Sequence, residues 1–187
     1  MTNEKQLAEE CGKFNRYAQK ELYRIYSPKM RAICMRYAGD ADDAKDIMQD
    51  GFIKIYKNIH KFSATGSLEG WLRKIMVNTA INHINKNRKH KYNSPISNET
   101  ESVRELSDGL EDEDLLSGVY PHELLLKALN SLSEDFRLVF NMYFIEEYSH
   151  KEIAELLSIN ENTSRTRLAR ARTQLKNYLL NFKPERV

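Results

Sequence analysis

The chain has 187 residues, room for one domain or two small ones, with 41% hydrophobic and 30% charged residues and a net charge of +2. No stretch approaches 18 uninterrupted apolar residues, and the N-terminal MTNEKQLAEECGKF lacks the apolar core of a secretory leader, so neither membrane insertion nor export is expected. Cys11 and Cys34 stand far apart without a CxxC pair, which fits a reducing cytoplasm, one surface thiol and one buried thiol, and gives no metal framework.

Only four prolines and seven glycines interrupt a chain rich in Leu, Ala, Glu, Lys and Arg, so an all-α protein is expected. Residues 14–37 place Phe14, Leu22, Ile25, Tyr26, Ile33 and Tyr37 mostly at helical spacing. Gly39-Asp40 ends that pattern, and a second helix is predicted from Asp42 to Ile59, with Met48, Phe52, Ile55, Tyr56 and Ile59 on one side. After a loop over 61–67, a third helix runs from Ser67 to about Asn87 with a stripe of Trp71, Leu72, Ile75, Thr79 and Ile84. None of these stripes can be buried alone, so residues 1–91 read as one helical domain.

Residues 92–120 read as an acidic, mostly flexible linker. Between Glu99 and Asp114 eight acids face one base, Arg104, which leaves the rest of the chain distinctly basic. Such a tether spans roughly 95 Å at full extension and about 30 Å as a coil.

A second domain, 121–187, opens with Pro121 at a first helical turn and a helix carrying Leu124, Leu125, Ala128, Leu129 and Leu132. Ser133 precedes a helix bearing Phe136, Val139, Phe140 and Tyr143. Ser149 and Glu152 have capping-box spacing ahead of Ile153, Ala154 and Leu157. The chain turns at Ser158-Ile159-Asn160, and Asn160 or Asn162 caps a last helix held by Leu168, Ala171, Leu175 and Leu179.

A short helix, a three-residue turn and a longer helix describe a helix-turn-helix, whose second helix leads into the major groove. Its entry carries Asn162, Thr163, Ser164 and Arg165, followed by Arg167, Arg170 and Arg172. Asn162 and Arg165 lie nearest the leading end and suit base reading, while Arg167 and Arg170 suit phosphate. All four arginines cannot face one groove, so one is free to pair with an acid of its own domain, such as Glu152 or Glu155. No acid lies between Arg165 and Asn177, which weighs against an ordinary solvated face.

The first domain has a basic end of its own. Asn78, Asn82 and Asn85 recur along one side of the third helix, ahead of Lys86, Arg88, Lys89 and Lys91. Amides can bond base edges and lysines hold a backbone, although a solvated helix end has the same composition. The loop between His60 and Gly70 offers Phe62, small hydroxyls and glycines that can surround a base taken out of the stack, while Phe62 also suits a core plug. His60, His83, His90, His122 and His150 are scattered, and no HExxH, P-loop or GxGxxG occurs. Nothing nominates a nucleophile, a metal or a cofactor, so no enzyme is expected.

Three segments in order, DAKDIMQDGF at 43–52, LEGWLRKIMVNTAINHI at 68–84 and EIAELLSINENTSRTRLARAR at 152–172, resemble the bacterial RNA polymerase sigma factors of the extracytoplasmic-function (ECF) type. The resemblance covers roughly residues 14–90 and 122–180. It implies a non-catalytic specificity subunit that brings core RNA polymerase to promoter DNA and helps separate the strands. By the same resemblance, Asp43, Asp46, Gln49, Asp50 and Phe52 dock on a coiled coil of the largest polymerase subunit. The loop with His60, Lys61, Phe62, Ser63 and Ser67 captures a flipped base of the minus-ten element. Asn78 falls where the family has an asparagine implicated in strand separation, and Lys74, Asn82, Arg88 and Lys89 guide nearby DNA.

The second domain then recognises the minus-thirty-five element through Asn162, Thr163, Ser164, Arg165, Arg167, Arg170 and Arg172. The family's usual glycine-threonine-valine-lysine lead is replaced here by Asn162-Thr163-Ser164-Arg165, and Asp50-Gly51 stands where glutamate with alanine or threonine is commoner. The linker is expected to follow the positive RNA exit path. An anti-sigma protein, in many cases membrane-bound, is the further partner implied. The alternative reading is a stand-alone helix-turn-helix regulator with a helical sensory or dimerising domain.

Overall fold

A computed structural model describes residues 3–91 and 120–181, and every regular element among them is helical. The expected linker, 92–120, lies outside the described residues except for Tyr120. The chain divides into two units, residues 1–93 and 94–187, each with its own core.

The first unit contains α1 (Glu4–Gly12), α2 (Arg16–Tyr37), α3 (Ala41–Asn58), a 3-10 turn (Ile59–Lys61) and α4 (Leu68–Lys91). The first of these was not legible as a separate element: α1 is only nine residues long, capped by Asn3, and buries Leu7, Ala8 and Cys11. A helix this short is marginal alone, so its stability comes from docking. Phe14 joins α1 to α2 in a left-handed conformation, φ 59°, and is 77% exposed. It therefore belongs to the connection and not to the buried stripe expected of it.

Helix α2 starts at Asn15, whose Oδ1 accepts the N–H groups of Tyr17 and Ala18 at 3.0 and 3.3 Å. Pro28 removes one donor from its interior, a defect worth about 3 kcal/mol in an exposed helix. Burial of Leu22, Tyr26, Met30, Ile33, Cys34 and Tyr37, at roughly 1.5–3 kcal/mol for each large apolar side chain, outweighs that defect. Helix α3 begins where Asp40 accepts from the N–H groups of Asp42 and Asp43 at 3.0 and 2.8 Å, and those two acids complement the positive end of the helix dipole. Its buried side is Ala44, Ile47, Gly51, Phe52 and Ile55.

Helix α4 is rotated relative to the expected stripe. Leu68, Leu72, Met76, Val77, Ala80, Ile81 and Ile84 point inward with Thr79, while Trp71 and Ile75 lie half-buried on the flank. The reason is the α3 contact: a Cβ on Gly51 would stand 2.4 Å from Met76 Sδ and 2.7 Å from its Cε. Only glycine admits the thioether there. Both cysteines are buried, Cys11 and Cys34, and burial raises their thiols to about 11 and about 12. The expected surface thiol is thus absent, because α1 docks its cysteine inward.

The second unit contains α5 (His122–Ser131), α6 (Glu134–Phe140), a π-helical turn (Asn141–Ile145), α7 (His150–Leu157) and α8 (Glu161–Asn181). Ser133 occupies the cap position of α6 but its side chain makes no capping bond. The Ser149–Glu152 capping box of α7 is fully formed. Ser158 ends α7 in a left-handed conformation, and Asn160 Oδ1 accepts the Thr163 N–H at 2.6 Å to begin α8. The π turn buries Asn141 and Met142, and Tyr143, expected in the core, is exposed at 38%.

Substituting Gly51→Leu is expected to destabilise the first unit by about 1–3 kcal/mol through overpacking against Met76. Combining it with Met76→Ala should cost less than the two single changes added together, because they share one space. Urea unfolding followed by fluorescence of Trp71, the sole tryptophan, measures this in the first unit alone.

Candidate nucleic-acid interfaces

The first candidate surface is the loop between the 3-10 turn and α4. Its two ends are buried, Ile59 on one side and Leu68 on the other, while His60, Lys61 and residues 63–67 are exposed. A short segment with anchored ends presents its tip in a restricted set of positions. Ala64 lies in the left-handed region with φ 56°, and the Ser63 and Thr65 hydroxyls are 3.0 Å apart. Phe62 is half-buried, its ring 5.9 Å from that of Trp71. Ser67 is exposed, yet its Oγ accepts the Gly70 N–H at 3.1 Å, which makes it the local cap of α4.

On α4, Lys74 and Asn82 are exposed and Asn78 is half-exposed. Steps of four residues put them in one line, opposite the buried stripe. Arg88 and Lys89 fall in the last turns of the same helix. Thr79 is occupied internally: its hydroxyl donates to the Ile75 carbonyl at 2.8 Å and accepts from Lys54 Nζ at 3.2 Å.

The acidic side of α3 divides. Asp46, Gln49 and Asp50 are exposed, next to the 44% exposed Ile53. Asp43 turns toward α4, where its Oδ1 is 3.4 Å from His83 Nε2. Phe52 does not belong to the outward set: it is 4% exposed, with ring centroids of Tyr23 and Tyr56 at 4.7 and 6.0 Å. It packs inside the unit instead of facing outward, since its position in the helical repeat points it at α2.

The second surface is the leading end of α8. Asn162 and Arg165 are exposed and Thr163 is half-exposed. Ser164 is 0% exposed and its hydroxyl lies 2.9 Å from His150 Nδ1. It shares the inward face with Leu168, Ala171, Leu175 and Leu179, so it bridges the two helices of the motif from inside the unit. Arg165 Nη1 is 3.2 Å from Glu161 Oε2. The expectation that this helix lacks four-residue partners overlooked the acid immediately preceding the basic run.

Arg167 is diverted more completely. Its side chain is 15% exposed and its Nη2 lies 2.6 Å from Asp135 Oδ2 on α6. This is the intradomain pairing that was foreseen for one arginine, but with Asp135 in place of Glu152 or Glu155. A guanidinium held there braces α8 against α6. Arg170 and Arg172 are half-buried on the flank, and the Arg172 guanidinium sits 5.8 Å over the Phe144 ring.

His150, one of the scattered histidines of the sequence, joins this framework. Its ring stacks on Tyr143 at 4.7 Å as well as reaching Ser164. Burial pushes its pKa below the ordinary imidazole range, and the neighbouring Arg165 adds to that, with Glu161 opposing. The folded state thus takes up a proton less readily than the unfolded chain, so stability falls as pH drops through the unfolded value near 6.5 toward the lowered folded value. Replacing His150 by Gln should narrow the stability difference between wild type and variant on acidification. Urea titrations of both proteins at about pH 7.5 and 5.5 check this, since carboxylates common to both cancel in the comparison.

Among the described residues no group of His, Cys, Asp or Glu is arranged to hold a metal ion, and no helix is long and apolar enough to cross a membrane. Family models place Sigma-70 region 2 on residues 22–90 and Sigma-70 region 4 on residues 122–175. The chain is 30% identical over 163 residues to the ECF RNA polymerase sigma factor SigW of Bacillus subtilis, covering 85% of this chain and 87% of that protein. The ECF RNA polymerase sigma-E factor of Escherichia coli K12 is 27% identical over 175 residues, 91% of each chain. In three dimensions the chain is similar to CnrH solved in complex with the cytosolic domain of CnrY, with 18% identity, a TM-score of 0.50, and coverage of 96% of this chain and 99% of that one. With the similarity to SigW running along most of both chains, and two sigma regions matched in order, this protein belongs to the ECF family of RNA polymerase sigma factors.

Proposed function

We propose that this chain directs core RNA polymerase to specific promoters, the first unit engaging and opening the minus-ten element and the second engaging the minus-thirty-five element. The observation that carries the reading is the pairing of two separately folded units, each matched by a sigma region, with outward polar residues on both: the loop and the Lys74–Asn78–Asn82 line in one, and Asn162, Thr163 and Arg165 in the other. Asp46, Gln49 and Asp50, exposed on α3, serve as the acidic docking face toward the polymerase. An anti-sigma protein is the third partner, a reading that rests on family membership. The chain acts in the cytoplasm as a non-catalytic subunit and makes or breaks no bond itself.

Strand opening then follows from differential binding. Unstacking costs roughly 1.4 kcal/mol per base-pair step, and bases exposed on the melted strand supply contacts that the duplex withholds. The anchored loop and the amides of α4 are rigidly placed for such contacts, which limits the entropy lost on binding. Arg88 and Lys89, at the end of α4, add a sequence-independent attraction for the backbone. On the second unit Arg165 reaches a base edge by exchanging its Glu161 partner for a bidentate contact.

The deciding experiment adds purified chain to core polymerase on linear genomic DNA and maps transcript starts. Specific starts that depend on the chain are expected. Core transcription that stays nonspecific overturns the reading in favour of a stand-alone regulator.

Arg165 and Arg167 should behave differently although both are arginines of one helix. Arg165→Ala is expected to alter relative affinity among upstream elements by about 1–3 kcal/mol at one base position, with the stability of the second unit unchanged. Arg167→Ala is expected to lower that stability by about 1 kcal/mol, and a double-mutant cycle with Asp135→Ala should show coupling between the two. Competition binding on a set of upstream duplexes, together with urea unfolding, separates the outcomes.

A further inference from the structure

The loop assigned to the minus-ten element is held at both ends by α1, which lies outside the region 2 match beginning at residue 22. At the leading end, a Cβ on Gly12 would stand 3.8 Å from the backbone of His60, so the end of α1 lies directly against the 3-10 turn. At the trailing end, the Leu68 N–H, the first of α4, donates to Glu4 Oε2 at 2.9 Å across 64 residues of sequence. The other carboxylate oxygen of Glu4 accepts from the Tyr26 hydroxyl at 3.0 Å, and Tyr26 is buried.

First-turn N–H groups have no partner within their own helix. Ser67 satisfies the Gly70 N–H locally, and Glu4 satisfies the Leu68 N–H from another helix. A carboxylate at this end is also favoured by the helix dipole. The Lys29–Glu69 ion pair braces the same turn from α2. Between α1 and the loop lies a cavity of about 310 Å³ lined by Lys5, Glu9, Gly12, His60, Phe62 and Ser63. Helix α1 is therefore one wall of the space beside the loop.

We propose that Glu4 is a positioning residue for promoter opening: by capping α4 from α1 it fixes where the loop over residues 62–67 returns to the helix. The inference rests on the minus-ten reading of that loop. The protein contains its own reporter of loop position, since Phe62 on the loop packs against Trp71, the sole tryptophan.

The test uses the full-length wild-type chain, Glu4→Ala, Glu4→Gln and a loop variant, Phe62→Ala with Ser63→Ala. Each is assembled with core polymerase on a promoter mapped with the wild-type holoenzyme. Opening is read by permanganate reactivity of unpaired thymines, and loop position by acrylamide quenching of Trp71 in the free wild-type and Glu4-variant chains before polymerase is added. Glu4→Ala is expected to raise quenching and to lower opening about tenfold, the effect of one lost cap, without changing affinity for a duplex bearing only the minus-thirty-five element. Glu4→Gln keeps an oxygen that can accept the Leu68 N–H, and should stay within about threefold of wild type. Unchanged quenching in Glu4→Ala, or a Glu4→Gln variant as defective as Glu4→Ala, overturns the assignment. Normal opening by Glu4→Ala beside a defective loop variant overturns it as well and leaves the minus-ten reading intact. Normal opening by the loop variant overturns the minus-ten reading itself.

Discussion

The approach of α3 to α4, where Gly51 leaves room for the Met76 thioether, sets the rotation of α4 about its own axis. That rotation decides which residues face outward. With Met76, Leu72 and Ala80 turned in, Lys74, Asn78 and Asn82 lie on the opposite line, and a different phase would bury an asparagine at the cost of an unsatisfied amide. Helix α4 also receives the loop at its first turn. The inward packing of a few apolar side chains thus determines the direction of the polar line and the position of the loop together.

The second unit solves the same problem with polar groups. Ser164 occupies an inward position among leucines and an alanine, and His150 meets its hydroxyl across the turn. A buried hydroxyl requires a partner, so the pair ties the crossing of α7 and α8 to one arrangement. Arg167 and Asp135 tie α8 to α6. Two residues expected from their place on the second helix of the motif to contact DNA are in this way used to hold α8 in place. The outward set is smaller than the basic run, and Arg165 shares its charge with Glu161 in the free chain.

Both surfaces depend on elements remote from them in sequence. Helix α1 reaches over to the start of α4, and α6 supplies the acid that takes Arg167 out of the exposed set. Short helices gain little stability alone. Their contribution here is to limit the freedom of neighbouring loops and side chains, which is where preorganisation for binding arises.

Much of this was legible in the residues taken in order. Helical periodicity located α2 through α8, because apolar spacing and capping chemistry are local properties. Gly39-Asp40 marks the break before α3, Ser149 and Asn160 cap the helices that follow them, and the entry residues Asn162 and Arg165 are exposed. Helix α1 was missed because nine residues carry too little period to distinguish a docked helix from a polar terminus. What only tertiary structure decided is orientation and pairing: the phase of α4, the inward turn of Phe52 and Ser164, the pairing of Arg167 with Asp135, and the reach of Glu4 to Leu68. Each depends on distances between segments far apart in the chain, and local spacing has no information about those.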